Sequence, residues 1–211
     1  MQAQGQVGPI ATTASIAPGT AAPLRQGNMQ DLIVSEAHGR YYEAAYRGTK
    51  FHAANQVAAT TTATLAAGAI TGLILSNPQG SGVNVVINKV GYAFLVAFAA
   101  ASAVGLAVGY SAATAVTHTT VLTPASDLVG TGPSGKATVD AASTTPTAAT
   151  IDTIFATGLT GAITTTPGLQ GLIDFEGGKI LPPGAFAFIY TSTASGASAF
   201  LGSFDWEEVP V

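Results

Sequence analysis

Ala185-Phe186-Ala187-Phe188-Ile189-Tyr190-Thr191 and, after a connector of small residues, Phe200-Leu201-Gly202-Ser203-Phe204-Asp205-Trp206 are the stretches on which the fold turns. Period-two spacing puts Phe186, Phe188 and Tyr190 on one face of a strand, and Phe200, Phe204 and Trp206 on one face of the next. Pro182 and Pro183 favour an extended run-in, and Gly184 supplies the tight bend. The two segments read as a closing hairpin that seals an aromatic core. Ala185, Ala187, Ala199 and Leu201 then fall on the opposite side, an apolar second face that asks for a covering layer.

Working outward, the longest apolar tract is Val90 to Tyr110, which carries no charge and is long enough to raise a membrane-spanning helix. Its internal pattern points elsewhere. Val86, Val90, Tyr92, Phe94, Val96 and Phe98 share one parity, while Lys89, Gly91, Ala93, Ala97 and Ala99 share the other. After a break at Ala99 to Ala103, Val104, Leu106, Val108 and Tyr110 alternate with Gly105, Ala107, Gly109 and Ser111. Bulky against small at period two is a strand pair with one face in a core. A lipid-facing helix has no reason to keep that alternation, and no basic cluster flanks the tract. The small face leaves room for close approach of another layer, either within the chain or from another copy.

Ile70 to Ser76 reads as a strand stopped by Asn77-Pro78-Gln79-Gly80-Ser81-Gly82, a strong turn signal. Asp31 to Asn55 carries Glu36/Arg40 and Glu43/Arg47 at helical spacing, but Gly39 and Gly48 bracket it, so strands are expected there with a short helix as the rival. Phe51 to Gln56, His118 to Leu122, Lys136 to Val139, Ile151 to Ala156 and Leu169 to Glu176 read as further short strands. Ala141 to Thr150, rich in Ala and Thr, reads as a surface excursion. Ten to twelve strands with turns between them predict an all-β protein, a β-sandwich or jelly-roll-like domain over 31–211. Residues 1–30, punctuated by Gly and Pro without apolar periodicity, are expected to form an extended or disordered N-terminal arm.

Composition narrows the chemistry. The chain has no cysteine, which removes disulfides, thiolate metal sites and cysteine nucleophiles. Only 9% of residues are charged, so a free monomer would be poorly hydrated and prone to associate. A net charge of −4 with scattered lysines and arginines excludes a phosphate-neutralising nucleic-acid surface. The opening residues lack the basic and apolar regions of a secretory leader, and the expectation is a protein made and kept in a cytoplasm.

Catalytic constellations are not found. His38, His52 and His118 are far apart, and Glu36 with His38 is a chance pair on one strand face. Asp174 and Glu176 resemble a carboxylate pair, but Gly177 and Gly178 beside them mark a solvated strand end. Asp205, Glu207 and Glu208 flank Trp206 on an expected solvent-facing edge. Gly80-Ser81-Gly82 precedes a strand, so it is no phosphate cradle, and no nucleophile elbow or dinucleotide fingerprint appears. No catalytic, cofactor-binding or metal-ligating residue is therefore assigned, and no enzyme activity or cofactor is expected.

Three groups of residues combine into a recognisable pattern: Gly39-Arg40-Tyr41-Tyr42-Glu43 with Arg47-Gly48; Leu75-Ser76-Asn77-Pro78 with Gly80-Ser81-Gly82 leading into Val85-Val86-Ile87; and Leu181-Pro182-Pro183-Gly184 leading to Ile189-Tyr190-Thr191 and Trp206-Glu207-Glu208. Together they resemble bacteriophage virion structural proteins, in particular small β-sandwich proteins that decorate or cement capsids. That resemblance implies a β-sandwich or jelly-roll homo-oligomer, often a homotrimer, with an N-terminal arm reaching over capsid subunits. It implies the major capsid protein or other virion proteins as partners, assembly in the host cytoplasm, and no catalytic residues, nucleic acid or membrane. The alternative is a receptor- or carbohydrate-binding module of a tail or surface appendage, for which Tyr41, Tyr110 and Tyr190 would have to be exposed in a groove.

Overall fold

The computed structural model describes residues 39–158, 169–196 and 199–211. The expected arm over 1–30, and Glu36 with His38, lie outside them. The chain divides after Tyr42; Glu43–Val211 is the compact β unit. In chain order the described elements are α1 (Tyr42–Tyr46), β1 (Lys50–Ala54), β2 (Gly68–Ser76), β3 (Val83–Phe94), β4 (Ser102–Tyr110), β5 (Thr117–Leu122), β6 (Ala125–Ser126), β7 (Thr138–Thr145), β8 (Thr150–Gly158), β9 (Gln170–Leu181), β10 (Ala185–Thr191) and β11 (Phe200–Pro210).

The strands form two antiparallel sheets, a five-stranded one in the order β6-β1-β11-β3-β9 and a six-stranded one in the order β5-β7-β2-β10-β4-β8. With β5, β6 and β7 set aside, eight strands remain, and they pair first with last (β1 with β11), second with seventh (β2 with β10), third with sixth (β3 with β9) and fourth with fifth (β4 with β8). That nested pairing is a jelly roll. The three remaining strands are an insertion between β4 and β8 that widens both sheets, β6 on the β1 edge and β7 with β5 on the β2 edge.

The closing segments are both strands, but they are not a hairpin. β10 pairs with β2 and β4, and β11 with β1 and β3, so the chain crosses from one sheet to the other between them. Their faces differ accordingly. Phe200, Phe204 and Trp206 enter the core between the sheets, where they meet Ala185, Ala187 and Ile189 of β10. Phe186, Phe188 and Tyr190 point the other way, into a second cluster on the outer face of the six-stranded sheet with Ile70, Ile74, Ala107 and Ala149.

Register explains how those outer aromatics are accommodated. Phe186 stands opposite Gly109, Phe188 opposite Ala107 and Tyr190 opposite Gly105 on β4. Each ring thus has a neighbour without bulk, and a Cβ at Gly109 would lie 2.2 Å from Phe186 Cζ. The small face of β4 is therefore filled by the chain's own aromatics, with Leu65 and Val116 adding partial cover.

A bulge corrects the parity expected for β3. Asp205 pairs with Lys89 while Trp206 pairs with Ile87, so Asn88 is an extra residue on β3. Val85 and Ile87 are core residues before it and Val90, Tyr92 and Phe94 after it, which turns Val86 outward. Across the sheet, β9 answers with its own irregularity, Glu176 at φ 53° and Gly177 at φ 78°.

Two further expectations change. Tyr42–Tyr46 is a helical turn, held by an Arg47 to Glu43 ion pair of 2.7 Å, so the helical spacing there outweighed the strand pattern. Ala141 to Thr145 belongs to β7, with Ser143 and Thr145 buried; its Ala-Thr composition is strand-forming where β2 and β5 flank it on both sides. No helix among the described residues is long and apolar enough to cross a membrane. Two substitutions test the packing. Trp206→Ala removes a fully buried ring stacked on Phe51 and is expected to cost about 3–5 kcal/mol in urea unfolding. Gly109→Ala forces a methyl against Phe186 and should cost about 1–3 kcal/mol, although it lies on the face away from the main core.

Candidate contact face on the five-stranded sheet

The outer face of the five-stranded sheet is built from residues of β1, β11, β3 and β9 that alternate with the core positions. Register sets them in rows. Ala54, Ser203, Gly91 and Leu172 form one row across the four strands, and Leu201, Ala93 and Gln170 form the next. Among the described residues no aromatic row like that of the other sheet lies beside Gly91 and Ala93, where Tyr92 supplies the ring on the lining. These residues, with Asn55, Gly171 and Gly202, line a shallow concavity of about 690 Å³. Leu172 stands at its rim, 66% exposed.

The adjoining row is charged. His52, Asp205, Lys89 and Asp174 lie in register across the same four strands, reading basic, acidic, basic, acidic. The row is anchored at one end by Lys50, a buried lysine whose Nζ donates to Asp127 Oδ2 at 2.7 Å and to Asp205 Oδ1. His52 Nδ1 lies 2.5 Å from the other oxygen of Asp127 and donates to it when the ring proton is on Nδ1. Burial by itself would lower the Lys50 pKa, but hydrogen bonds and attraction from Asp127 and Asp205 outweigh it and hold the pKa above the ordinary lysine value. Burial likewise works to raise Asp127, and the bonds from Lys50 and His52 overcome it, so its carboxyl sits below the usual range.

Below this row Glu208 is buried and accepts the backbone N–H groups of Lys136 and Ala137, at 2.8 and 2.9 Å, and the indole N–H of Trp206 at 3.3 Å. One carboxylate thus ties the insertion to β11 and the core. Above the row, buried Asn55 donates to the carbonyls of Val57 and Phe200 and accepts the N–H of Gly202, pinning the loop after β1 to β11. Both ends of the face are thus tied by buried hydrogen bonds.

A second concavity, of about 490 Å³, opens between the two sheets beside their edge strands β8 and β9. Ile87, Val108, Ile180 and Leu181 line it, Tyr110 stands 56% exposed at its rim, and Lys179 Nζ reaches Asp152 Oδ1 at 2.7 Å. That ion pair bridges the two sheets. Burial raises the Asp152 pKa, but Lys179 and the Thr153 hydroxyl outweigh it and lower the pKa overall.

The residues singled out in the sequence are dispersed. Tyr190 is buried in the outer cluster, Tyr41 lies beneath Arg40 with the guanidinium 5.2 Å from its ring, and Tyr110 alone of the three lines a groove. His52 belongs to the charged row, while His118 bonds Asp140, a fully buried carboxylate, at 2.7 Å. The Asp174 carboxylate accepts the Glu176 backbone N–H at 2.8 Å, closing the turn that the positive φ of Glu176 makes. Asp205 and Glu207 face outward as alternation requires, but Glu208 is buried, because the strand is covered on that side by the insertion. Among the described residues no three His, Asp or Glu side chains are grouped to hold a metal ion. The Lys50 cluster had no linear signal, since its partners lie 77 and 155 residues away.

Comparison with protein-family models, with curated proteins and with solved structures finds no match.

The electrostatics make a pH prediction with a definite sign. A raised Lys50 contributes stability that is complete below the ordinary lysine pKa and is lost as pH rises through the folded value. A lowered Asp127 contributes stability that is present above the ordinary carboxylate pKa and is lost as pH falls through its folded value. Lys50→Ala should therefore cost about 3 kcal/mol near pH 7, by leaving two carboxylates without their buried cation, and the difference from the parent should shrink below about pH 4. Urea melts at a series of pH values read both quantities.

Proposed function

We propose that the chain is a non-enzymatic structural protein of a bacteriophage particle, a capsid decoration or cement protein that stabilises the head by binding across capsid subunits. The observation that carries this reading is the outer face of the five-stranded sheet. It is a shallow floor of small side chains beside a row that alternates imidazole, carboxylate, ammonium and carboxylate, held at both ends by buried hydrogen bonds. Such a face suits contact with another protein layer and is too open to enclose a small substrate. The jelly-roll framework and the 9% charged composition support the same reading, since the surface is poorly suited to a solitary existence in water. The partners are the major capsid protein or other virion proteins, with the chain itself acting as a homo-oligomer in the virion. A standard interface of about 1,600 Å² repeated over many sites gives avidity without any one strong contact.

One observation favours a second reading. Tyr110 presents an exposed ring beside Asp152 and Lys179 on the cleft between the sheets, the combination of aromatic surface and hydrogen-bonding groups that a sugar ring uses. On that reading the chain is a receptor- or carbohydrate-binding module of a tail or surface appendage. Two binding experiments separate the readings. Purified protein should co-sediment with expanded, mature heads that lack it and raise their resistance to heat. A protein that ignores such heads, but gives a glycan-array signal that Tyr110→Ala reduces at least about tenfold, belongs to the second class.

A further inference from the structure

The charged row has a property that neither its composition nor its exposure requires: it is self-complementary under a two-fold rotation. Its order across the sheet is His52 on β1, Asp205 on β11, Lys89 on β3 and Asp174 on β9. Consider a second copy laid face to face, with the two-fold axis parallel to the strands and passing between β11 and β3. The rotation reverses the strand order and keeps the rows level. Asp205 then faces the partner's Lys89, Lys89 faces the partner's Asp205, and the outer pair sets His52 against the partner's Asp174. Each carboxylate of the row faces an ammonium or an imidazole of the partner, twice over by symmetry, while Asp205 keeps its bond from Lys50 and His52 its bond to Asp127.

The same rotation matches the apolar rows by size. Leu172 falls over the partner's Ala54, at the end of a row whose middle positions, Ser203 and Gly91, face each other across the axis. In the next row Leu201 falls over the partner's Ala93. The exposed Leu172 thus has a seat in the partner's concavity, which Ala54, Gly91 and Ser203 help to line. The row on the other side of the charges, Lys50, Glu207, Val86 and Ile180, would set aliphatic against charged groups. It lies beyond the Asn88 bulge, which breaks the register of the rows, so the contact stops at the charged row.

We infer that the outer face of the five-stranded sheet is a homotypic contact, in which a second copy of this chain packs across a two-fold axis between β11 and β3. The inference rests on the reading of this face as a contact surface and names its occupant. Four strands about 4.8 Å apart and three rows about 7 Å apart give a footprint of roughly 350 Å² per copy. A standard interface needs about 800 Å² per partner. The contact is accordingly weak, populated at high protein concentration or where other contacts already gather copies together.

The absence of cysteine makes the geometry testable with single thiols. Ala54→Cys and Leu172→Cys chains are prepared separately, mixed at high concentration and treated with a short bis-maleimide. Facing sheets about 10 Å apart bring Ala54 within reach of the partner's Leu172, whereas β1 and β9 lie three strand spacings, about 14 Å, apart in one sheet and further from their own symmetry mates. The expected result is a covalent dimer from the mixture and none from either variant alone. Adding Lys89→Glu to both chains sets like charges across the axis and should lower the yield about fivefold, while Lys89→Arg leaves it unchanged. Equal yields from the mixture and from Ala54→Cys alone, a yield indifferent to Lys89→Glu, or a trimer in sedimentation velocity with no cross-link would each overturn the homotypic contact. Head binding by the parent protein is scored separately: if it persists while the cross-link fails, the face has another occupant and the assembly reading stands, and if it fails while the cross-link forms, only the assembly reading falls.

Discussion

The two sheets are held together by an exchange of bulk for space. On β11, Phe200, Phe204 and Trp206 fill the gap between the sheets, and β10 opposite them offers Ala185 and Ala187. Were both strands bulky on that side, the sheets could not close; were both small, the core would be void. Because β10 turns Ala185, Ala187 and Ile189 inward, its aromatics stand outside, opposite Gly109, Ala107 and Gly105 of β4. One packing constraint therefore decides how three strands distribute their side chains, and the rest of the jelly roll is arranged around it.

The consequence for function is an asymmetry between the two outer faces. The six-stranded sheet covers its small residues with its own rings. The five-stranded sheet leaves Gly91, Ala93 and Ser203 as the floor of an open concavity and borders them with a row of alternating charge. Two neighbouring edge strands, β9 of this sheet and β8 of the other, are poor templates for β-addition, since β9 is interrupted at Glu176 and Gly177 and β8 meets β4 with two register shifts.

Much of the fold was legible because period-two alternation is a local property. The strands from Ile70 to Ser76, from Val104 to Tyr110 and from Phe200 to Trp206 could be read directly, as could the turn at Asn77 to Gly82. Which sheet each strand joins was not legible. A hairpin and a crossover between sheets need the same alternation, so Phe186 and Phe200 looked like one core when they belong to two. The Asn88 bulge was hidden for a related reason: a single inserted polar residue within Val83 to Phe94 flips the parity without any turn signal. The contact face was half legible, its small residues from sequence spacing and its charged row only from register, because His52, Asp205, Lys89 and Asp174 come from four strands dispersed along the chain.

The central claim is that this chain works by presenting the outer face of its five-stranded sheet to another protein layer. Electron microscopy of the native particle that contains it tests this most directly. The account predicts density for the jelly roll in which the Gly91, Ser203 and Leu172 face is covered by protein and the Tyr110 cleft is open to solvent. A particle in which that face looks into solvent, with the contact made through the Tyr110 cleft, would contradict it.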